Sequence, residues 1–241
     1  MRRRHPVSLK PQRVRTTSRT NRVGAAFGFS LGEAAPFSLP PPLPKTVVPP
    51  TKPTAEFILS TTIPEQYPKG STPEFAFLGR SNVGKSSLLN CLAGTKKLAF
   101  TSSSPGRTQS INFFRIGGDI IFADLPGYGF AKVPLEIKNA WQAMIETYLL
   151  SRQSLGLCIL LLDGRRGWME HDRVLREWLE HHEKRYLVVA TKIDKLNQSE
   201  LHHGLAAIRE EIPGVELVPF SAISGQGARE IWQAIKKRTS R

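Results

Sequence analysis

Lys85 and Ser86 close the run Gly79, Arg80, Ser81, Asn82, Val83, Gly84, Lys85, Ser86, which fits G-x-x-x-x-G-K-[ST] at every fixed position. The apolar run Phe75 to Leu78 precedes it and the helix-like SSLLNCLA follows. Strand, glycine loop and helix start therefore stand in the order this motif requires, and the chemistry predicted is the cradling of a polyphosphate. A loop with Gly79 and Gly84 can turn its backbone N–H groups inward without obstruction by Cβ, and the helix start adds its unpaired N–H groups and positive dipole end. Lys85 brings a full charge toward the β and γ phosphates, and the Ser86 hydroxyl is placed to ligate Mg2+. A chance glycine turn before an ordinary helix is the plain alternative, and the motifs downstream weigh against it.

Asp124 opens DLPG at the end of another apolar run. Its carboxylate can hold Mg2+ directly or through water, and Gly127, beyond Leu125 and Pro126, can offer its N–H to the γ-phosphate. The segment can thus sense whether that phosphate is present. Taken alone, Asp124 could instead be a helix cap, which is the plain alternative. Thr108, in SSSPGRTQS, stands between the two phosphate motifs, where its hydroxyl can reach Mg2+ and its amide the γ-phosphate. Lys85, Thr108 and Gly127 are the candidate catalytic residues; Ser86, Thr108 and Asp124 are the candidate metal ligands.

Thr191, Lys192, Ile193 and Asp194 end the strand-like YLVVA, and this segment chooses the base. Guanine presents N1–H and N2–H donors side by side, which the Asp194 carboxylate can accept together, whereas adenine has no such pair. Polar groups left unpaired by the wrong base can cost a factor of ~10⁴ to 10⁵ in discrimination. Lys192 can lay its stem over the purine ring. The last strand ends in Phe220, Ser221 and Ala222, where the backbone of Ser221 and Ala222 can meet the guanine O6.

The elements that must position these residues alternate. Short apolar strands are predicted at Phe75 to Leu78, Leu157 to Leu162, Tyr186 to Ala190 and Val215 to Phe220, each followed by a helix. Ile111 to Ile116 and Ile120 to Ala123 flank Gly117-Gly118 and read as a hairpin. Phe57 to Leu59 is a candidate edge strand. Between Leu135 and Arg152, Trp141, Ile145, Tyr148 and Leu149 recur at helical spacing. The fold predicted is α/β: a P-loop NTPase of the Ras-like G-domain type, with a mostly parallel six-stranded sheet, one antiparallel strand and helices on both faces. In such a sheet ligands bind outside the carboxyl ends of the strands, which is where the candidate residues fall.

The formal charge of +14 over 241 residues is uneven. Residues 1–54 carry ten Lys and Arg against one acid, Glu33, and ten of the 18 prolines. This basic, proline-rich segment is expected to be a disordered arm, with a G domain over 55–241. Three readings stay open for it: an arm that touches polyanions, an Arg-rich transit segment, or a solvated extension. The two cysteines, Cys91 and Cys158, fall in a helix and a buried strand and read as small apolar residues, which argues against a disulfide framework or a zinc site. The longest apolar run, Leu155 to Leu162, is far short of the ~18 residues of a membrane span. The His181/182 and 202/203 pairs lie on helices where neighbours diverge, so they are poor joint metal ligands. Lys96, Lys97, Arg165, Arg166, Lys236, Lys237, Arg238 and Arg241 form basic clusters that suit either RNA phosphates or plain solvation.

In order along residues 55–241, GRSNVGKSSLLN, PGRTQ, DLPGYG, TKID and FSAISGQG resemble the EngB family of small bacterial ribosome-assembly GTPases. The resemblance is specific, because general GTPases rarely combine PGRTQ with DLPGYG. It implies that Gly79 to Ser86, then Gly106, Arg107, Thr108, Gln109 and Ser110, then Asp124 to Gly127, Thr191 to Asp194, and Phe220 to Ala222 contact GTP or GDP, with Ser86 and Thr108 on Mg2+. It further implies a switch in assembly of the large ribosomal subunit, contacting its rRNA and proteins, with a link to cell division and septation; the chain is expected to be a cytoplasmic monomer. Two departures stand out: Thr191 occupies a place where many GTPases have Asn, and the arm has no counterpart in the family core.

Tyr128 stands where many GTPases carry a water-orienting Gln after DLPG, and its phenol is a poor substitute, so slow intrinsic hydrolysis is expected. Asn82 resembles the asparagine of GTPases that bind K+ beside the phosphates. Two rival functions remain: a nucleotide-gated ribosome-binding module in which hydrolysis is incidental, and an ATP-driven kinase or transporter subunit, which TKID argues against.

Overall fold

The computed structural model describes residues 53–95, 98, 110–128 and 135–239, with the side chains of 135–138 and 141 excepted. The expected arm therefore lies almost wholly outside the described residues. The elements run β1 (Ala55–Thr61), β2 (Glu74–Gly79), α1 (Lys85–Leu92), β3 (Ile111–Ile116), β4 (Ile120–Asp124), α2 (Leu135–Ser151), β5 (Leu155–Asp163), α3 (Glu170–His181), β6 (Tyr186–Thr191), α4 (Gln198–Glu210), β7 (Leu217–Pro219) and α5 (Ala228–Thr239).

The strands form one sheet in the order β1-β3-β4-β2-β5-β6-β7. β3 pairs antiparallel with both β1 and β4, and every other pairing is parallel, so β3 alone runs against the rest. The α/β class and the single antiparallel strand stand as expected. The count is seven strands rather than six, because β1 is a full edge strand of which Phe57 to Leu59 is only the middle. A bulge between Phe57 and Leu59 shifts its register and breaks the period of two, and Phe57 is 53% exposed. β7 is shorter than the apolar run that suggested it.

Strict alternation divides the central strands between two cores. Leu157, Ile159 and Leu161 of β5 face a cluster with Phe75, Phe77, Leu88, Leu89 and Ile231, on the side of α1 and α5. Cys158, Leu160 and Leu162 face the other, with Ala76, Leu78, Tyr148, Leu149, Leu179 and Ile208, on the side of α2, α3 and α4. Burial pushes the Cys158 thiol up to about 12, so it packs as an apolar group. The stripe on α2 is present at Tyr148 and Leu149; the side chain of Trp141 lies outside the described residues. Asn197 caps α4, its side chain accepting from Glu200 N at 2.9 Å while the Glu200 carboxylate accepts from Asn197 N at 2.9 Å. Among the described residues no helix is long and apolar enough to cross a membrane.

Two layers of side chains sandwiching parallel strands bring the carboxyl ends of β2, β4, β5, β6 and β7 to one edge of the molecule, and the residues singled out above gather there.

Candidate functional site

The loop from β2 to α1 reverses direction through two left-handed residues, Asn82 at φ 64° and Gly84 at φ 109°. Gly84 is the residue before the first turn of α1, and a side chain there would be strained at that φ. Lys85 begins the helix, and its ammonium makes an ion pair with Asp124 Oδ1 at the end of β4. Both side chains are nearly buried, 10% and 5% exposed. The candidate phosphate cation and the candidate metal carboxylate are thus held against each other, and among the described residues neither has another partner. Ser86 sits half-buried in the next position.

The segment after Asp124 is stitched to the same loop. Ser81 N donates to Tyr128 O at 3.0 Å and Tyr128 N to Gly79 O at 3.3 Å, while the Ser81 hydroxyl donates to Gly127 O at 3.3 Å. A Cβ on Gly127 would stand 3.0 Å from Ser81 N, Cα and Oγ, so only glycine fits this approach without displacing the loop. Leu125 and Pro126 are buried between. The Tyr128 phenol turns to Asp172 on α3, donating to Oδ1 at 2.9 Å. Burial, then the Asp172 charge, push the phenol well above its ordinary value, so it is a neutral donor at physiological pH. Asp172 also caps its own helix by accepting from Met169 N at 3.1 Å. Burial raises its carboxyl above the usual range, partly offset by the phenol and Met169 N–H.

At the base end, Thr191 is buried, and its hydroxyl donates to Val83 O at 2.6 Å with Leu162 O 2.9 Å away. The departure from Asn therefore keeps a tie between the end of β6 and the phosphate loop. Lys192, left-handed at φ 59°, sends its ammonium to Asn82 O at 2.6 Å and to Asp163 Oδ2 at 2.9 Å, so its stem lies stretched toward the phosphate loop. Ile193 is buried and Asp194 is exposed. The Ser221 hydroxyl donates to Asp194 Oδ1 at 2.8 Å, while Ile223 N and Ser224 N approach that hydroxyl at 3.2 and 3.4 Å. Ile193 N donates to Phe220 O at 3.4 Å, and Ala222 is exposed beside them. An aimed carboxylate at Asp194 is what two adjacent donors on a ligand would need.

Three side chains in this arrangement carry no sequence signal. Asp163 closes β5 and receives Lys192 and the fork of Arg165, with Nε at 2.9 Å and Nη2 at 2.6 Å. Burial alone would raise its carboxyl, but the hydrogen bonds from Arg165 and Lys192 hold it well below the usual range. Asp172 is the second, and the hydroxyl of Ser221, as opposed to its backbone, is the third. Gly106, Arg107, Thr108 and Gln109 lie outside the described residues, as do Lys96, Lys97 and Arg241. Ser110, just before β3, has its hydroxyl 2.5 Å from that of Ser60 on β1.

Ser86 and Asp124 are hard oxygen donors that suit Mg2+, an ion usually held by one or two protein groups together with substrate phosphates and water. Among the described residues no cluster of three or more His, Cys, Asp or Glu is built to hold a metal by itself. His182 Nδ1 lies 2.8 Å from Trp178 O and its ring stacks on the indole, while His202 and His203 are exposed on α4.

A sequence model of the family described as "50S ribosome-binding GTPase" matches residues 74–192. The probable GTP-binding protein EngB of Solibacter usitatus is 60% identical over 181 residues, 75% of this chain and 94% of the relative. That of Syntrophus aciditrophicus is 48% identical over 186 residues, 76% of this chain and 94% of the relative. Among solved structures, a probable GTP-binding protein engB superposes with TM-score 0.56 at 27% identity, over 69% of this chain and 98% of its own. Era in complex with MgGDPNP and nucleotides 1506–1542 of 16S ribosomal RNA superposes with TM-score 0.56 at 29% identity, over 70% of this chain and 57% of its own.

Proposed function

The chain belongs to the EngB family of GTP-binding proteins and is a GTPase, and from that premise we propose that it is a slow, Mg2+-dependent switch in assembly of the large ribosomal subunit. The single observation that carries the switch reading is the contact of two nucleotide-facing segments with each other: Lys85 on Asp124, and Ser81 on Gly127 and Tyr128. A triphosphate entering the cradle competes for Lys85 and for the space at Gly127, so its arrival and its departure are felt directly by the segment that follows.

In this proposal Asp194 accepts the two guanine donors while Ser221 fixes its orientation and Lys192 supports the purine face. The ammonium of Lys85 is the group that would turn from Asp124 to the phosphates, and Asp124 and Ser86, with Thr108, are the residues that would hold Mg2+. When bound, Mg2+ offsets the negative charge on the phosphate oxygens. The presence of MgGDPNP in the Era complex supports that assignment. Tyr128 is occupied by Asp172 and does not orient water, so intrinsic turnover is slow, and a docking partner that completes the site can add up to ~10⁵ in rate. Asn82, exposed at the loop crest, is the residue through which K+ would act; equal turnover in KCl and NaCl would remove that part of the proposal.

The description of the matching family and the rRNA bound to Era support a ribosomal partner; a link to division and septation and action in the cytoplasm are parts of the proposal that rest on the family resemblance alone. The test is co-sedimentation of the full chain with large-subunit precursors, loaded with GDPNP or with GDP. Enrichment in the GDPNP state is expected; equal association in both states would remove the switch. An Asp124 variant that binds GTP, fails to hydrolyse it and still restores growth would favour the rival in which hydrolysis is incidental.

A further inference from the structure

A pocket of about 240 Å³ opens beside the phosphate loop toward the start of α3, and its walls carry Arg80, Arg165, Arg166 and Lys192 with Asp163 and Asp172. Lys85, Ser86, Asp124, Asp194 and Ser221 do not line it, but Arg80 to Val83 and Lys192, which the motifs assign to the nucleotide, form one of its walls, so it adjoins the nucleotide site and opens away from it toward α3. Both carboxylates are already engaged. Asp163 is held by Arg165 and Lys192, and Asp172 by the Tyr128 phenol and Met169 N–H.

Among the described residues two guanidinium groups make no side-chain hydrogen bond, although the charge of Arg80 acts on Asp172. Arg80 Nε is buried and, among the described residues, has no hydrogen-bond partner. Arg166 is exposed at the rim, with no ion pair to any described residue. A buried N–H without an acceptor is a standing cost that a ligand oxygen would relieve. Guanidinium forks match the tetrahedral oxygens of a phosphate better than any neutral or cationic group. The pocket is roomy enough for one such group, and of the two arginines at its rim Arg165 is taken up by Asp163 while Arg166 makes no ion pair to any described residue.

We propose that this pocket seats a backbone phosphate of an RNA strand, gripped by Arg80 from within and by Arg166 at the rim. The inference rests on the reading above only in choosing RNA as the source of the phosphate. Because Arg80 pairs by its backbone with Tyr128 and Asp172 accepts the Tyr128 phenol, the occupant sits one residue from the segment that follows DLPG.

The experiment uses the full GDP-loaded chain and a short fluorescent single-stranded RNA, titrated over a range of salt, so that the basic arm is present in every sample. Arg166→Glu is compared with Lys69→Glu, an equal charge change on an exposed residue ahead of β2, at the far end of that strand. Arg166→Glu is expected to weaken RNA binding ~tenfold or more and to lower the salt slope by about 0.7, the share of a single neutralised phosphate, with GDP affinity unchanged; Lys69→Glu should weaken it far less. Arg80→Lys, which keeps the charge and removes the fork, should also weaken RNA binding. Equal weakening by Arg166→Glu and Lys69→Glu, or none in either, would overturn the site, as would a matching fall in GDP affinity in Arg166→Glu. Inorganic phosphate that binds with the same Arg166 dependence while RNA shows none would overturn RNA as the ligand. A chain that fails to sediment with ribosomal particles yet keeps this Arg166-dependent RNA binding would count against the proposed function and leave the pocket standing.

Discussion

The strand Glu74–Gly79 has a buried carboxylate and cation at each of its ends, and the two pairs are built differently. At the start of the strand, Glu74 is fully buried and saturated: it accepts from Tyr148 OH at 2.8 Å, Ser154 Oγ at 3.0 Å and Arg152 Nε at 3.1 Å, with Arg152 Nη2 bridging on to Pro68 O at 2.7 Å. Beyond the end of the strand, Lys85 and Asp124 have only each other among the described residues. A charge pair with every lone pair occupied resists exchange and holds loop, strand and helix in register. A pair with spare donors and lone pairs keeps a buried site polar until something better arrives. The closed network belongs to the fold, and in the function proposed above the open one is where the nucleotide enters.

Several substitutions would break or sharpen that contrast. Asp194→Asn should lower the preference for GDP over ADP by ~10⁴, with the unfolding midpoint unchanged, as read by calorimetric titration and urea denaturation. An intact preference would mean that the base is read elsewhere. Arg152→Ala strands the Glu74 carboxylate and should destabilise the fold by about 3–5 kcal/mol in urea, while GDP affinity of the folded fraction stays as in the parent chain. A fall in nucleotide affinity without a fall in stability would reverse the roles given to the two ends. Tyr128→Phe removes one hydrogen bond to a carboxylate and should cost about 1.5–3 kcal/mol; unchanged stability would show that Asp172 does not anchor the segment.

Acid should act most weakly. The Asp163 carboxyl is held below its unfolded value, so its contribution to stability is complete above the ordinary aspartate range near ~4 and is lost as pH falls through the lower folded value. Asp163→Asn should therefore flatten the acid limb of the stability profile, and an unchanged limb would contradict the assignment.

The contrast also marks what is legible in the chain without its fold. Motifs compressed into a few consecutive residues, GRSNVGKS, DLPG and TKID, can be read together with the apolar runs that carry them, because strand, loop and helix start are local events. Glu74 and Arg152 cannot, since 78 positions separate them and each is an ordinary charged residue in its own neighbourhood. Asp172 reads as one acid among several at a helix start, and only its meeting with Tyr128 across 44 positions gives it a role. β1 is half-visible because its bulge interrupts the alternation by which an edge strand is recognised. The Thr191 hydroxyl shows the reverse case: a departure that raises doubt in the sequence is accounted for by two carbonyl acceptors in space.

The exchangeable pair carries the most weight, and Asp124→Asn tests it most directly when stability and single-turnover GTP hydrolysis are measured on the same preparation. The expected result is an unfolding free energy within about 1 kcal/mol of the parent, because the amide still offers Lys85 an oxygen, and a fall in turnover of about 10² to 10³. A drop of about 3–5 kcal/mol in stability with turnover intact would contradict it, for then Lys85 and Asp124 would be one more closed pair holding the fold.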